Sequence, residues 1–229
     1  MDRFRTCRAV VFDLDGTLAD TVGDIADALN RTLSDFDLPP HPEDAVRGMV
    51  GNGLAKLLER GFSRHGVVLD ETTRERACRR LLEHYAGRPC ERARLYPGAR
   101  AMLDALGAAR IDCAVLTNKH EPIARDVIHG LGIAGSIKAV RGADVGFARK
   151  PDPAGLLDLV RTLGARPETT LMVGDSETDL KTARAGGLRG AVLVSHGYSA
   201  IPVAELGADA VINHLHELVA GLALAPEAD

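Results

Sequence analysis

Val10-Val11-Phe12-Asp13-Leu14-Asp15-Gly16-Thr17-Leu18 sets two carboxylates two residues apart at the end of an apolar run. Ala9 to Phe12 reads as a buried strand, and Gly16 ends it with a turn. Open α/β sheets bind ligands at the carboxyl ends of their strands, so this run aims both acids at a ligand edge. Two like charges so close are costly unless a cation or a shared proton offsets them. A hard divalent cation, which prefers oxygen ligands, fits the pair. Solvated acids in an ordinary Asp/Gly turn are the alternative.

Downstream of that run the pattern turns helical. Ile25, Leu29, Thr32/Leu33 and Phe36 recur at helical spacing until Pro39-Pro40 stops them. Further helices are expected around Asp44–Val50, from Leu54 through Phe62 and from about Glu71 to Tyr85, with Pro89 and Pro97-Gly98 marking the exit. Residues 20–90 are therefore expected to form an all-helical cap inserted into a core of residues 1–19 and 91–229. Such a block over a strand-end site could exclude water during chemistry.

From residue 98 strands and helices alternate. The expected strands are Cys113–Leu116, one near Ile137–Val140, Thr170–Val173, Ala191–Val194 and Ala210–Ile212. A helix from about Asp179 to Ala185 should stop at Gly186-Gly187, and a last helix lies near Leu215–Leu222. This alternation predicts an α/β fold, a Rossmann-like doubly wound parallel sheet. No Gly-x-Gly-x-x-Gly follows a strand, so a dinucleotide site is not indicated. The tail Ala223–Asp229 is expected to fray.

Three more clusters fall at strand ends or in loops. Thr117-Asn118-Lys119 follows the strand Cys113–Leu116, where hydroxyl and amide groups can hydrogen-bond a phosphoryl oxygen without adding charge, or simply make a turn. Lys150, after Arg149 and before Pro151, is a cation on a stiff loop; Arg149 is its rival, with a planar fork better suited to bidentate gripping. Val173-Gly174-Asp175-Ser176-Glu177-Thr178-Asp179 again ends an apolar run in carboxylates, although Ser176 or Asp179 could merely cap a helix.

These four segments, in this order, resemble the motifs of the haloacid dehalogenase-like hydrolases, and the resemblance spans nearly the whole chain. It implies that Asp13 attacks phosphorus and that Asp15 is the general acid/base. Relatives that cleave carbon–halogen bonds lack the second Asp, so Asp15 points to phosphate esters. Thr117 would hold the phosphoryl group with Asn118 beside it, and Lys150 would screen charge between Asp13 and that group. Mg²⁺ would sit on the Asp13 side chain, the Asp15 main-chain carbonyl and Asp175, with Asp179 acting through water or a second bond.

The helical insertion, with Met49-Val50-Gly51-Asn52-Gly53 leading into Leu57-Leu58-Glu59-Arg60, is similar to the cap of bacterial phosphoglycolate phosphatases. Tyr96-Pro97-Gly98, Gly142-Ala143-Asp144 and Lys150-Pro151-Asp152-Pro153 agree with that subgroup. The resemblance implies hydrolysis of 2-phosphoglycolate to glycolate and phosphate through an aspartyl phosphate. Asn52 could face the substrate, or the Gly-rich turn could be a plain connection. A carboxylate-bearing substrate calls for a cation in the cap; Arg47 is the first choice, with Lys56 and Arg60 as rivals. Other substrates stay open: a sugar phosphate, a nucleoside monophosphate or pyrophosphate. So do a β-phosphoglucomutase-like phosphomutase and a non-catalytic binding protein on the same fold.

Bulk properties narrow the rest. The chain has 229 residues, 45% hydrophobic and 26% charged, as expected of a soluble globular protein. A net charge of −4 with scattered basic residues gives no nucleic-acid footprint, and 3% aromatics without Trp leave no base-stacking platform. No run approaches a membrane span and no signal peptide is evident, so a cytoplasmic location is expected. Cys7, Cys78, Cys90 and Cys113 are too dispersed to suggest zinc or a disulfide framework. A homodimer is possible, but no heptad or apolar stripe requires one.

Overall fold

A computed structural model describes residues 4, 6–144 and 146–222; the tail Ala223–Asp229 lies outside them. Its centre is β1 (Ala9–Phe12), buried along its whole length. Parallel partners flank it on both sides: β4 (Asp112–His120), with Val10 opposite Cys113, and β6 (Thr170–Gly174), with Val10 opposite Leu171. With β5 (Ala139–Ala143), β7 (Gly190–Val194) and β8 (Ala210–Ile212), the sheet order is β5-β4-β1-β6-β7-β8. The chain thus leaves β1 in both directions, and the crevice at that switch point is where such folds bind ligands.

Successive strand residues face opposite layers, as the two-residue period of a strand requires. Val10 and Phe12 of β1, with Val115 and Val173, pack against α5 (Ala99–Ala108) and α6 (Glu121–Gly130) and against Leu218 of α9 (His216–Gly221). Val11, Ala114 and Met172 point the other way, onto α7 (Ala154–Thr162) and α8 (Glu177–Ala185) through Leu156, Leu159 and Ala183. Two short strands were not foreseen: β2 (Ala19–Asp20) and β3 (Arg94–Leu95) pair antiparallel. Two residues are too few to show a period.

Between those strands lie α1 (Val22–Ser34), α2 (Glu43–Arg47), α3 (Leu54–Ser63) and α4 (Glu71–Ala86). Leu29, Leu33, Leu58, Phe62, Ala77 and Leu81 are buried among them, and the Phe36 and Phe62 rings meet edge to face at 5.2 Å. Helix α4 opens with Asp70 accepting a hydrogen bond from the Thr73 N–H, an ordinary N-cap. Among the described residues no helix is long and apolar enough to cross a membrane.

Two expected strands move. The third runs two residues later than Ile137–Val140, and β4 continues past Leu116 through Thr117, Asn118 and Lys119 to His120. Its pairing with β5 jumps from Leu116 opposite Arg141 to His120 opposite Ala143, so β4 carries two extra residues there. Such irregularities bend a strand and re-aim its side chains, a common device beside functional sites.

Candidate active site

Four adjacent strands each contribute a piece at their carboxyl ends. Asp13 follows β1, Thr117 to Lys119 occupy the irregular end of β4, Lys150 lies between β5 and α7, and Asp175 follows β6. Asp13, Thr117, Asn118, Lys119, Lys150, Asp175 and Asp179 are all buried.

Lys150 ties the acids together. Its Nζ lies 2.9 Å from Asp13 Oδ2 and 2.7 Å from Asp179 Oδ1. The other Asp179 oxygen accepts from the N–H groups of Asp175 and Ser176 and from the Ser176 hydroxyl, which fixes the start of α8. Asp179 therefore anchors the lysine and the loop at once. Asn118 positions the same loop: its Oδ1 accepts from the Lys150 N–H at 2.8 Å, and its Nδ2 donates to the carbonyls of Lys150 and Gly51, both at 3.2 Å.

Asp13, Asp175 and Asp179 each offer a carboxylate oxygen to one point, the three oxygens lying within 4.8 Å of one another. The backbone closes tightly around Asp175. The Tyr198 N–H donates to its Oδ2 at 2.6 Å, and a Cβ on Gly197 would fall 2.2 Å from the Asp175 Cβ. Gly16, at φ +82°, approaches too: a Cβ there would fall 2.5 Å from the Asp175 Oδ2. Only glycine allows that approach, so the cradle is shaped around this carboxylate.

The electrostatics favour a cation here. Burial pushes the Asp13 carboxyl from its ordinary 3.8 up to about 7, against the pull of Lys150 and with repulsion from Asp179 and Asp15. Burial, then Asp179 and Asp13, raise Asp175 well above its usual range too. Burial also disfavours the charged form of Lys150, but Asp13 and Asp179 outweigh it and hold its pKa up. One ammonium cannot balance three buried carboxylates, whereas a hard divalent ion would.

A stability test follows. In metal-free protein the folded state keeps a proton on Asp13 between about pH 4 and pH 7, a range in which the unfolded chain has lost it. The folded state binds more protons, so this group's contribution makes stability fall as pH rises through that window. Thermal unfolding in EDTA at pH 5 and pH 7 should show that fall, and Asp13→Asn should flatten it. An equal slope in the variant would refute the assignment.

Asp15 turns away from the acid cluster. Its carboxylate takes Lys119 Nζ at 2.7 and 3.0 Å and the Thr21 hydroxyl at 2.5 Å. Lys119 lies over the ring of Tyr85 from α4, 4.6 Å from its centroid. A cavity of about 40 Å³ opens between these parts. Asp13, Asp15, Thr117, Asn118 and Lys119 line it from the sheet side, and Ile25, Leu54, Leu57 and Tyr85 from the helical block.

The expected cap residues sit elsewhere. Arg47 bonds Asp20 at 3.3 Å and covers the Tyr198 ring at 5.1 Å, outside the cavity lining. The Asn52 carbonyl accepts from Arg60 at 2.7 Å in an outer depression shared with Lys56 and Arg149. Lys119 and Tyr198 were not singled out from sequence. Lys119 stood in the quoted Thr117-Asn118-Lys119 run, and its place after a strand-end Thr-Asn was the available signal. Tyr198 carried none: its hydroxyl donates to Asp20 and accepts from the Thr21 and Val22 N–H groups, partners far away in the chain.

Comparison with known proteins places the chain among characterised families. The sequence profile of the haloacid dehalogenase-like hydrolases matches residues 10–193. A phosphoglycolate phosphatase of Rhodospirillum rubrum is 46% identical over 215 residues, covering 92% of this chain and 89% of that protein. One from Caulobacter vibrioides is 39% identical, with 89% of this chain and 86% of that protein covered. A crystal structure from Haemophilus somnus 129pt, described as a predicted phosphoglycolate phosphatase, superposes with a TM-score of 0.87 at 29% identity, covering 94% of this chain and 97% of that one.

Proposed function

The chain belongs to the haloacid dehalogenase-like hydrolases, and on that footing we propose that it is a Mg²⁺-dependent phosphatase hydrolysing 2-phosphoglycolate to glycolate and phosphate. Similarity to named phosphoglycolate phosphatases over about nine-tenths of the chain supports the substrate. The observation that carries the reading is the small cavity where Asp13, Asp15 and Thr117 converge beneath an apolar roof. One water needs roughly 10–15 Å³ on such a measure, so a cavity of about 40 Å³ is small, in keeping with a small phosphorylated substrate.

In this reading residues 20–90 are the cap, and 1–19 with 91–229 the catalytic core. Asp13 attacks phosphorus while the bond to the leaving oxygen breaks, and Asp15 delivers a proton to that oxygen. Asp15 then takes a proton from water, the water attacks the aspartyl phosphate, and the P–O bond to Asp13 breaks to release phosphate. Lys150 screens charge between nucleophile and phosphoryl group, Thr117 donates to a phosphoryl oxygen, and Asn118 holds the Lys150 loop in register. Asp13 and Asp175, with the Asp15 carbonyl, would hold Mg²⁺. When bound, the ion neutralises charge on the acids and the phosphoryl oxygens. The substrate is then a small cytoplasmic phosphorylated metabolite; the net charge of −4 argues against a nucleic-acid partner.

Phosphate release from 2-phosphoglycolate, ethyl phosphate, sugar phosphates, nucleoside monophosphates and pyrophosphate, with Mg²⁺ or EDTA, tests the reading. We expect 2-phosphoglycolate to be preferred and EDTA to cost on the order of 10²-fold or more, since metal stabilisation of the transition state is worth several kcal/mol. Preference for another ester would discard the substrate and keep the mechanism. Full activity in EDTA would discard the metal.

A further inference from the structure

We propose that Lys119, braced by the ring of Tyr85, is the cation that receives the carboxylate of the leaving group. The proposal rests on the phosphatase reading above and names the specificity determinant that reading leaves open.

Lys119 is the one cationic side chain among the described residues lining the cavity. It is buried, and the Asp15 carboxylate is the only hydrogen-bond acceptor of its ammonium among them. An ammonium has three donors, so Lys119 retains capacity for a second acceptor. Arg47, Lys56 and Arg60 lie off the lining, and all three have acceptors of their own outside the cavity.

Position follows from the chemistry of Asp15. Its proton goes to the ester oxygen of the leaving group. In 2-phosphoglycolate the carboxyl carbon is two bonds from that oxygen, so an acid group of the substrate must lie beside whatever flanks Asp15. Lys119 flanks it. Lys119 lies over the Tyr85 ring, which lines the same cavity, and the Tyr85 hydroxyl is buried with no hydrogen-bond partner among the described residues. A buried unpaired hydroxyl is costly, and a carboxylate oxygen would satisfy it. The rest of the roof, Ile25, Leu54 and Leu57, is apolar and excludes water, which strengthens a charge-assisted bond inside.

Ethyl phosphate has the same ester oxygen and first methylene but no carboxylate. The informative quantity is kcat/KM for 2-phosphoglycolate divided by that for ethyl phosphate, which cancels any general damage through Asp15. Lys119→Met should lower this ratio on the order of 100-fold and Tyr85→Phe about 10-fold, the scale of losing a charge-assisted and a neutral hydrogen bond to a buried ligand. A ratio held within about threefold in Lys119→Met overturns the proposal while leaving the phosphatase reading intact. If that variant does not fold, the same result in Tyr85→Phe overturns it. A wild-type enzyme with no preference for 2-phosphoglycolate over ethyl phosphate sinks the substrate reading, and this proposal with it.

Discussion

Asp13→Asn should remove phosphate release by about 10⁴-fold or more, the scale seen when a covalent nucleophile is deleted from other hydrolases. The amide nitrogen and oxygen of Asn cannot take the phosphoryl group, and the described neighbours are engaged elsewhere, Asp175 by the Tyr198 N–H. Lys150 is a cation, Asp179 is engaged by Lys150 and Ser176, and Asp15 points toward Lys119. The variant should nevertheless fold. One Asp13 oxygen accepts from the Leu14 N–H at 2.7 Å, and an Asn carbonyl can keep that bond. Burial already pushes the Asp13 carboxyl toward its neutral form, so a neutral isostere suits the metal-free site. Phosphate release and thermal unfolding in EDTA give the two readouts. Activity within tenfold of wild type, in a preparation free of wild-type enzyme, would remove Asp13 from the nucleophile role.

The second large effect belongs to Lys150. Replacing it with Met leaves Asp13 and Asp179 facing each other without the ammonium that touches both. Removing one partner of a buried ion pair costs about 3–5 kcal/mol, because the remaining charge is stranded away from water. Activity should also fall on the order of 10³-fold, as when a fixed electrostatic contact to a transition state is lost. Magnesium provides an internal check. Binding the same carboxylates, it should restore part of the lost stability by mass action, more in the variant than in wild type. Urea unfolding with and without Mg²⁺ measures both terms. A destabilisation below about 1 kcal/mol would mean the carboxylates take up protons and do not need the lysine.

Legibility from sequence followed the range of the interactions. The strands β1, β6 and β7 were readable because burial on both faces forces an unbroken apolar run, as in Thr170-Leu171-Met172-Val173. Asp13 and Asp175 were readable for the same reason, as the first acids after such runs, and Asp15 as the second acid after β1. Thr117, Asn118 and Lys150 emerged only in combination, since each alone is an ordinary loop residue. Asn118 illustrates the limit. Its place beside Thr117 was legible, but its bonds to Lys150 and Gly51 depend on chain segments brought together by folding. Arg47 was chosen for its charge and its nearness to the Gly51 turn. No local pattern could reveal that Asp20 and Tyr198 would engage it. Lys119 was hidden in the opposite way, as a lysine in a polar run whose burial depends on the irregular end of β4.

The position of β1 also dictates when the enzyme can become whole. Ala9 emerges from the ribosome early, yet its partners are Asp112 on one side and Thr170 on the other. During synthesis the central strand keeps both hydrogen-bonding edges open until β4 is made, and one of them until β6 is made. The helices α1 to α4 face no such delay, because their contacts are close in sequence and local contacts form fastest. The helical block can therefore be in place before the sheet beneath it. A truncated or stalled chain ending before β6 would expose the apolar edge of β1 and lack Asp175, and so would be both sticky and inert.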